Sequence, residues 1–175
     1  MCIRDSRDIT RIVVTDVQPD VAASLSERLP LGQVTPEVVS ANEFASMIGD
    51  FDVLCTCTSV APGEGPVVRL DNPKPTLHVN AVGSDFPGKL ELARSDLQRG
   101  LVMPDFLDQC RIEGECQQLE LADVGPSMAE VLSGQVAGLE QRLTIFDSTG
   151  WSYEDLVAAR LVVGHARQLL SLIHI

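Results

Sequence analysis

The stretch His78 to Lys89, HVNAVGSDFPGK, carries the densest chemistry in the sequence. Asn80 sits near the end of an apolar run, a turn follows with Gly83, Pro87 and Gly88, and Asp85 lies four residues before Lys89. A carboxylate fixed by such a turn could orient a substrate ammonium or take a proton; the structural alternative is an Asx-type turn with Lys89 as a solvated surface charge. Upstream, Asp16 closes the β-branched run ITRIVVTD. An acid at a strand tip can accept two hydrogen bonds from a ribose diol and repels a 2′-phosphate, which would favour NAD over NADP. An Asp that starts a turn or caps the next helix has the same appearance in sequence.

Thr56 lies within DVLCTC and Thr58 and Ser59 follow it, and small hydroxyl residues at a strand end let a flat ring approach while offering hydrogen bonds. Cys55 and Cys57, at period two in that run, are read as core-facing. His78 is read as a satisfied strand histidine. Glu113 and Glu115, two apart in RIEGECQQL, match no glycosidase pair and no metal motif, so they are read as part of a solvated segment. In FDSTG, Asp147 either holds Ser148 and Thr149 for a ligand or caps the following helix. Five cysteines, at 2, 55, 57, 110 and 116, form no CxxC and no zinc-like spacing with His; they are read as reduced thiols and no metal is expected.

These residues need strands and helices to bring them together. The pattern predicts strands over Ile9–Asp16, Gln33–Val39, Asp52–Cys57, Thr76–Val82, Leu101–Asp105 and Leu143–Phe146. Helices are expected over Asp20–Leu29, Asn42–Ile48, Leu90–Gly100, Pro126–Leu132 and Tyr153–Leu172, the last with an acidic start at Tyr153-Glu154-Asp155. Alternation at this pace predicts an α/β fold, a Rossmann-like, doubly wound, mostly parallel sheet with ligand loops at the carboxyl ends of strands. Chemistry is expected after Asp16, Cys57 and Val82. The glycine loop of such a fold lies about 20 residues before the ribose-binding acid, which falls upstream of Met1, and Gly63-Glu64-Gly65 runs into Pro66 rather than a helix. The sequence therefore reads as a fragment lacking its first strand and Gly-rich loop.

With 13 Lys+Arg against 25 Asp+Glu, the formal charge is −12, which argues against a nucleic-acid partner. The greasy stretch Leu156–Ile175 is interrupted by Arg160, His165 and Arg167, so no membrane span is expected. Met1–Arg11 has no apolar signal core, leaving the cytoplasm as the expected compartment. Residues 1–6 and 171–175 fit no periodicity and are read as non-native ends.

Three strings, HVNAVGSDFPGKLEL, CRIEGECQQL and TIFDSTGWSYEDL, occur in the order and approximate spacing of the ornithine cyclodeaminase/mu-crystallin family. The sequence resembles most the bacterial ornithine cyclodeaminase branch, over most of residues 7 to 170. The resemblance implies a truncated NAD(P)-binding domain over 7–150 and a helix over 151–170 that returns toward a dimerisation and substrate domain, in a protein that is a homodimer at full length. It implies NAD as cofactor and a small amino acid as substrate. Asp16 would bind the adenosine ribose; Thr58 and Ser59 would border the cofactor; Asn80, Ala81 and Val82 would lie near the nicotinamide. Ser148, Thr149 and Gly150 would approach the ring, and Asp85 would be the catalytic acid group beside the substrate amine. The implied reaction converts L-ornithine to L-proline and ammonia, with alternatives in an alanine or other amino-acid dehydrogenase and in a non-catalytic binder of the mu-crystallin kind. The family's substrate-carboxylate Arg and Lys residues fall in the missing half, so the fragment is expected to be inactive and, with exposed strand edges, poorly stable alone.

Overall fold

A computed structural model of the chain describes residues 8–28 and 34–169. The expected non-native ends, 1–6 and 171–175, lie outside the described residues, as do Gln33, Leu29 and the last turn of the expected final helix. The chain divides into two compact units, Met1–Phe51 with Leu70–Lys74, and Asp52–Arg69 with Pro75–Ile175.

In the first unit, β1 (Val13–Val14) pairs in parallel with β2 (Glu37–Val38), Val13 opposite Glu37. Between them runs α1 (Pro19–Arg28), which opens on a proline whose missing N–H costs nothing at that position and carries Asp20 in its first turn and Arg28 in its last. A capping box, Ser40 with Glu43, starts α2 (Ala41–Ser46). Both strands are shorter than the β-branched runs suggest, because only the paired residues form a ladder.

The second unit is built on four parallel strands, β3 (Val53–Thr56), β4 (His78–Ala81), β5 (Leu101–Pro104) and β6 (Thr144–Asp147), in the spatial order β3-β4-β6-β5. The α/β class and the parallel sheet expected from the sequence are present. Leu54, Val79, Val102 and Ile145 occupy one row across the sheet and are all buried. The last row ends the strands in register: Thr56 opposite Ala81, Ala81 opposite Asp147, Asp147 opposite Pro104. All four following loops thus leave from one edge of the sheet, where the switch-point rule puts ligands.

The inward residues of β3 are Leu54 and Thr56, not the cysteines. Cys55 and Cys57 are exposed, a correction to the core-facing reading: period two was right, but the buried phase belongs to the residues between them. The helix expected over Leu90–Gly100 shrinks to α3 (Arg94–Leu97). Its first turn cannot form, because the Glu91 carbonyl accepts from the N–H groups of Val67 and Val68 while Leu92 bridges Val68 in parallel. The segment after Asp105 holds α4 (Leu107–Glu113), which the sequence pattern did not reveal, and a 3-10 turn over Glu115–Gln118. After α5 (Met128–Leu132) and β6, α6 (Ser152–Leu169) begins with Glu154 and Asp155 in its first turn, as expected. Leu156, Val157, Leu161, Val162 and Val163 of α6 are exposed. Among the described residues no helix is long and apolar enough to cross a membrane.

Candidate functional site

Thr58, Ser59, Asn80, Ala81, Val82, Asp85, Ser148, Thr149 and Gly150 all lie at or just beyond the carboxyl edge of the four-stranded sheet. Backbone bonds carry the ladder one step past the strands, from Val82 N–H to the Thr56 carbonyl (3.0 Å) and from Ser148 N–H to the Ala81 carbonyl (3.0 Å). Asp16 belongs to the first unit, just past β1, where its Oδ1 accepts from the Gln18 N–H at 2.8 Å. This is an Asx turn leading into α1, and it leaves Oδ2 for other donors.

Asp85 is exposed and ion-paired with the Lys89 ammonium, whose side chain is only 15% exposed. Lys89 is therefore not the solvated surface charge that one sequence reading allowed. The loop is pinned at three further points: the buried Ser84 hydroxyl donates to the Lys89 carbonyl, Gly88 N–H donates to Gln117 Oε1 (2.7 Å), and Gln117 Nε2 donates to the Lys89 carbonyl (3.1 Å). A carboxylate on a loop so held needs little reordering when a ligand arrives. His78 Nδ1 lies 2.7 Å from Thr144 Oγ1 and Nε2 3.2 Å from Asn80 Oδ1, so it is the satisfied strand histidine expected. Burial pushes its pKa down, with the Asn80 bond partly opposing.

Four buried or half-buried acids that sequence reasoning missed or misassigned organise this edge. Glu91, fully buried, accepts from Thr56 Oγ1 (2.6 Å), Thr58 N–H (2.6 Å), Thr58 Oγ1 (2.8 Å) and Gly83 N–H (2.8 Å). Its own N–H donates to Glu115 Oε1 at 2.7 Å. Glu115 is fully buried, not part of a solvated segment. Asp147, also fully buried, accepts from the N–H groups of Glu115 (2.9 Å) and Cys116 (2.8 Å). It neither caps α6 nor holds Ser148 and Thr149: that task falls to Asp105, whose Oδ2 accepts from Ser148 Oγ (2.7 Å), Thr149 N–H (3.1 Å) and Gly150 N–H (3.1 Å). Asp105 ends a strand as Asp16 does and was legible by the same rule. Glu91 was hidden by its helix-like setting.

Burial raises Glu115 to about 8, with the Asp147 and Glu91 charges adding to the rise. Burial likewise pushes Asp147 upward. The thiols of Cys110 and Cys116 are pushed up by burial and by Asp147, which keeps them protonated and unreactive. Unfolded Glu115 loses its proton near pH 4.5 whereas the folded group keeps it to about 8, so the folded state binds more protons between these values. Its contribution to stability therefore falls as pH rises through that window, by at most about 1.4 kcal/mol per pH unit, and is flat above it. Melting temperatures at pH 5.5 and pH 8 should differ more for wild type than for Glu115→Gln, whose amide does not titrate between these values. An undiminished pH slope in the variant would contradict this.

The Thr149 hydroxyl is buried and has no hydrogen-bond partner. A buried hydroxyl without a partner at the exit of β6 is a donor and acceptor available to a polar ligand. Together with the small Ala81 and Gly83 at the end of β4, it fits the edge of a dinucleotide site. Among the described residues no group of three or more His, Cys, Asp or Glu could hold a metal.

The sequence model of the Ornithine cyclodeaminase/mu-crystallin family matches residues 1–169. The chain is 37% identical over 163 residues to the L-lysine cyclodeaminase of Streptomyces rapamycinicus, covering 92% of this chain and 47% of that protein. It is 34% identical over 157 residues to the ornithine cyclodeaminase of Agrobacterium fabrum, covering 88% and 43%. Among solved structures it superposes at TM-score 0.83 and 37% identity on a lysine cyclodeaminase described as recognising L-lysine, L-ornithine and L-2,4-diaminobutyric acid, covering 90% of this chain and 46% of that one. It also superposes at TM-score 0.81 and 29% identity on an archaeal alanine dehydrogenase dimer with bound NAD, covering 95% and 52%. The chain spans about half the length of the curated relatives it matches. Carrying its polar loops on one edge of a parallel sheet and matched along nearly its whole length, the chain belongs to the ornithine cyclodeaminase/mu-crystallin family.

Proposed function

We propose that the full-length protein is an NAD-dependent cyclodeaminase that converts L-ornithine to L-proline and ammonia, and that this chain is its cofactor-binding portion, with activity residing in the complete protein. The observation that carries the reading is the shared edge: a pinned carboxylate, a hydroxyl pair after β3 and an unpartnered hydroxyl after β6 all lie where the loops of one parallel sheet emerge. NAD, when bound, would accept the hydride from the amino-bearing carbon and return it after ring closure.

The chain's own residues have separate tasks in this reading. Asp16 would take the adenosine ribose diol, Thr58 and Ser59 would border the cofactor, and Asn80, Ala81 and Val82 would flank the nicotinamide. Ser148, Thr149 and Gly150 would approach from the β6 exit. Asp85 would accept the proton that the substrate ammonium must lose and, being exposed, pass it to solvent, so that its restored negative charge would stabilise the cationic carbon–nitrogen centre as hydride leaves. Residues 7–150 would form the NAD(P)-binding domain and 151–170 the helix that returns to the dimerisation domain. The exposed apolar side chains of α6 support a homodimer, and the buried thiols of Cys110 and Cys116 suit the cytoplasm.

A second substrate is favoured by one observation, the 37% identity to an L-lysine cyclodeaminase over 92% of this chain. Product analysis of the full-length protein with NAD decides between them. L-Ornithine is expected to give proline and ammonia without net NADH, and faster turnover of L-lysine to its six-membered cyclic imino acid would reassign the substrate. A keto acid with stoichiometric NADH would make the protein an amino-acid dehydrogenase. NAD binding without turnover of any amino acid would make it a binder.

A further inference from the structure

Three strands of the site edge are joined by side chains that the reaction itself does not use. Asp147, the last residue of β6, holds the Glu115 N–H; Glu115 holds the Glu91 N–H; and Glu91 closes the chain on the loops after β3 and β4. The last link is saturated. Oε1 of Glu91 receives the Thr58 N–H and hydroxyl, and Oε2 receives the Gly83 N–H and the Thr56 hydroxyl, which uses the four acceptor sites of a carboxylate. The approach is so close that a Cβ on Gly83 would stand 2.3 Å from Glu91 Oε1 and 2.7 Å from Thr58 N. The Glu91 backbone is fixed on its other side by the N–H groups of Val67 and Val68, both at 3.0 Å.

A charged group buried this completely is costly unless every lone pair is matched. An apolar residue at 91 would leave the Thr58 and Gly83 N–H groups without their acceptor, so the carboxylate supports the fold as well. What the carboxylate adds is a fixed separation between Thr58 and Gly83 at the roots of two loops whose other ties are backbone bonds, from Val82 N–H to the Thr56 carbonyl and, farther out, from Gly63 N–H to the Gly88 carbonyl (2.9 Å). We infer that Glu91 is a positioning residue for the reaction: it sets Thr58, on the cofactor side, against the Gly83–Lys89 loop that carries Asp85. This rests on the cyclodeaminase reading above.

The informative variant is Glu91→Gln in the full-length protein. An amide keeps the shape, but its NH2 must face either the Thr58 N–H or the Gly83 N–H, so one loop loses its anchor whichever way it turns. At a temperature where circular dichroism shows the variant folded, the NAD dissociation constant should rise about tenfold or more and kcat should fall with it. Thr56→Val removes one of the four donors without touching either loop and should weaken NAD severalfold, while Thr56→Ser restores it. Val102→Ala, a core truncation in β5, supplies a control matched in melting temperature, with NAD affinity unchanged. NAD affinity and kcat/KM within about twofold of wild type in both Glu91→Gln and Thr56→Val would overturn the proposal. If Glu91→Gln does not fold, the Thr56 pair decides. A wild-type protein that binds no NAD would instead refute the cyclodeaminase reading, and the positioning role with it.

Discussion

Asp85→Asn in the full-length protein is expected to lower kcat by about two to four orders of magnitude while leaving NAD affinity and melting temperature close to wild type. The substitution is isosteric and the loop does not depend on the Asp85 charge for its shape. Ser84, Gly88 and Gln117 hold it through bonds that Asp85 does not share. The Lys89 side chain is 15% exposed, but the Asn amide oxygen can still accept from its ammonium and the Asp85 side of the pair is 57% exposed, so the loss of stability is small. What disappears is the negative charge beside the reacting nitrogen. Steady-state kinetics together with NAD titration check the prediction. Turnover within a few-fold of wild type would move the catalytic role to another group on the same edge.

The largest effect on stability is expected at Asp147. Truncation to Ala strips the acceptors from the buried N–H groups of Glu115 and Cys116, each worth about 1 to 3 kcal/mol when left unsatisfied, and opens a void beside Gly114. Two terms oppose this: the buried charge is removed, and Glu115 loses one of the repulsions that raise it. The net loss is placed at about 3 kcal/mol. Asp147→Asn keeps one acceptor and should cost about half as much. Urea unfolding, with unchanged m-values, measures both. A loss below about 1 kcal/mol for Asp147→Ala would mean that the relay is not a principal support of the β6 edge.

What the sequence revealed and what it hid follow from how local each signal is. β3, β4 and β6 stood out because their apolar residues and turns are contiguous, and the loops after Thr56 and Ala81 could be placed from the sheet rule alone. Phase was less secure: in VLCT the buried row is Leu54 and Thr56, and nothing in the run itself says which alternate row faces the core. Glu91 was read as helical, Glu115 as solvated and Asp147 as a cap or a holder of Ser148 and Thr149, because for each of them principal donors come from segments 24 to 35 residues away. Asp105 differs: its strand-end position is visible in the sequence, as that of Asp16 is, while the donors it holds at Ser148, Thr149 and Gly150 lie 43 to 45 residues away.

In the proposed reaction hydride leaves and re-enters the same carbon, so that the cofactor is regenerated in each turnover. L-Ornithine carrying deuterium at its amino-bearing C2, turned over by the full-length protein with substoichiometric NAD, tests this most directly. Proline is expected to keep the deuterium at C2, with no NADH accumulating. Proline without the label, or a keto acid formed one-for-one with NADH, would contradict it.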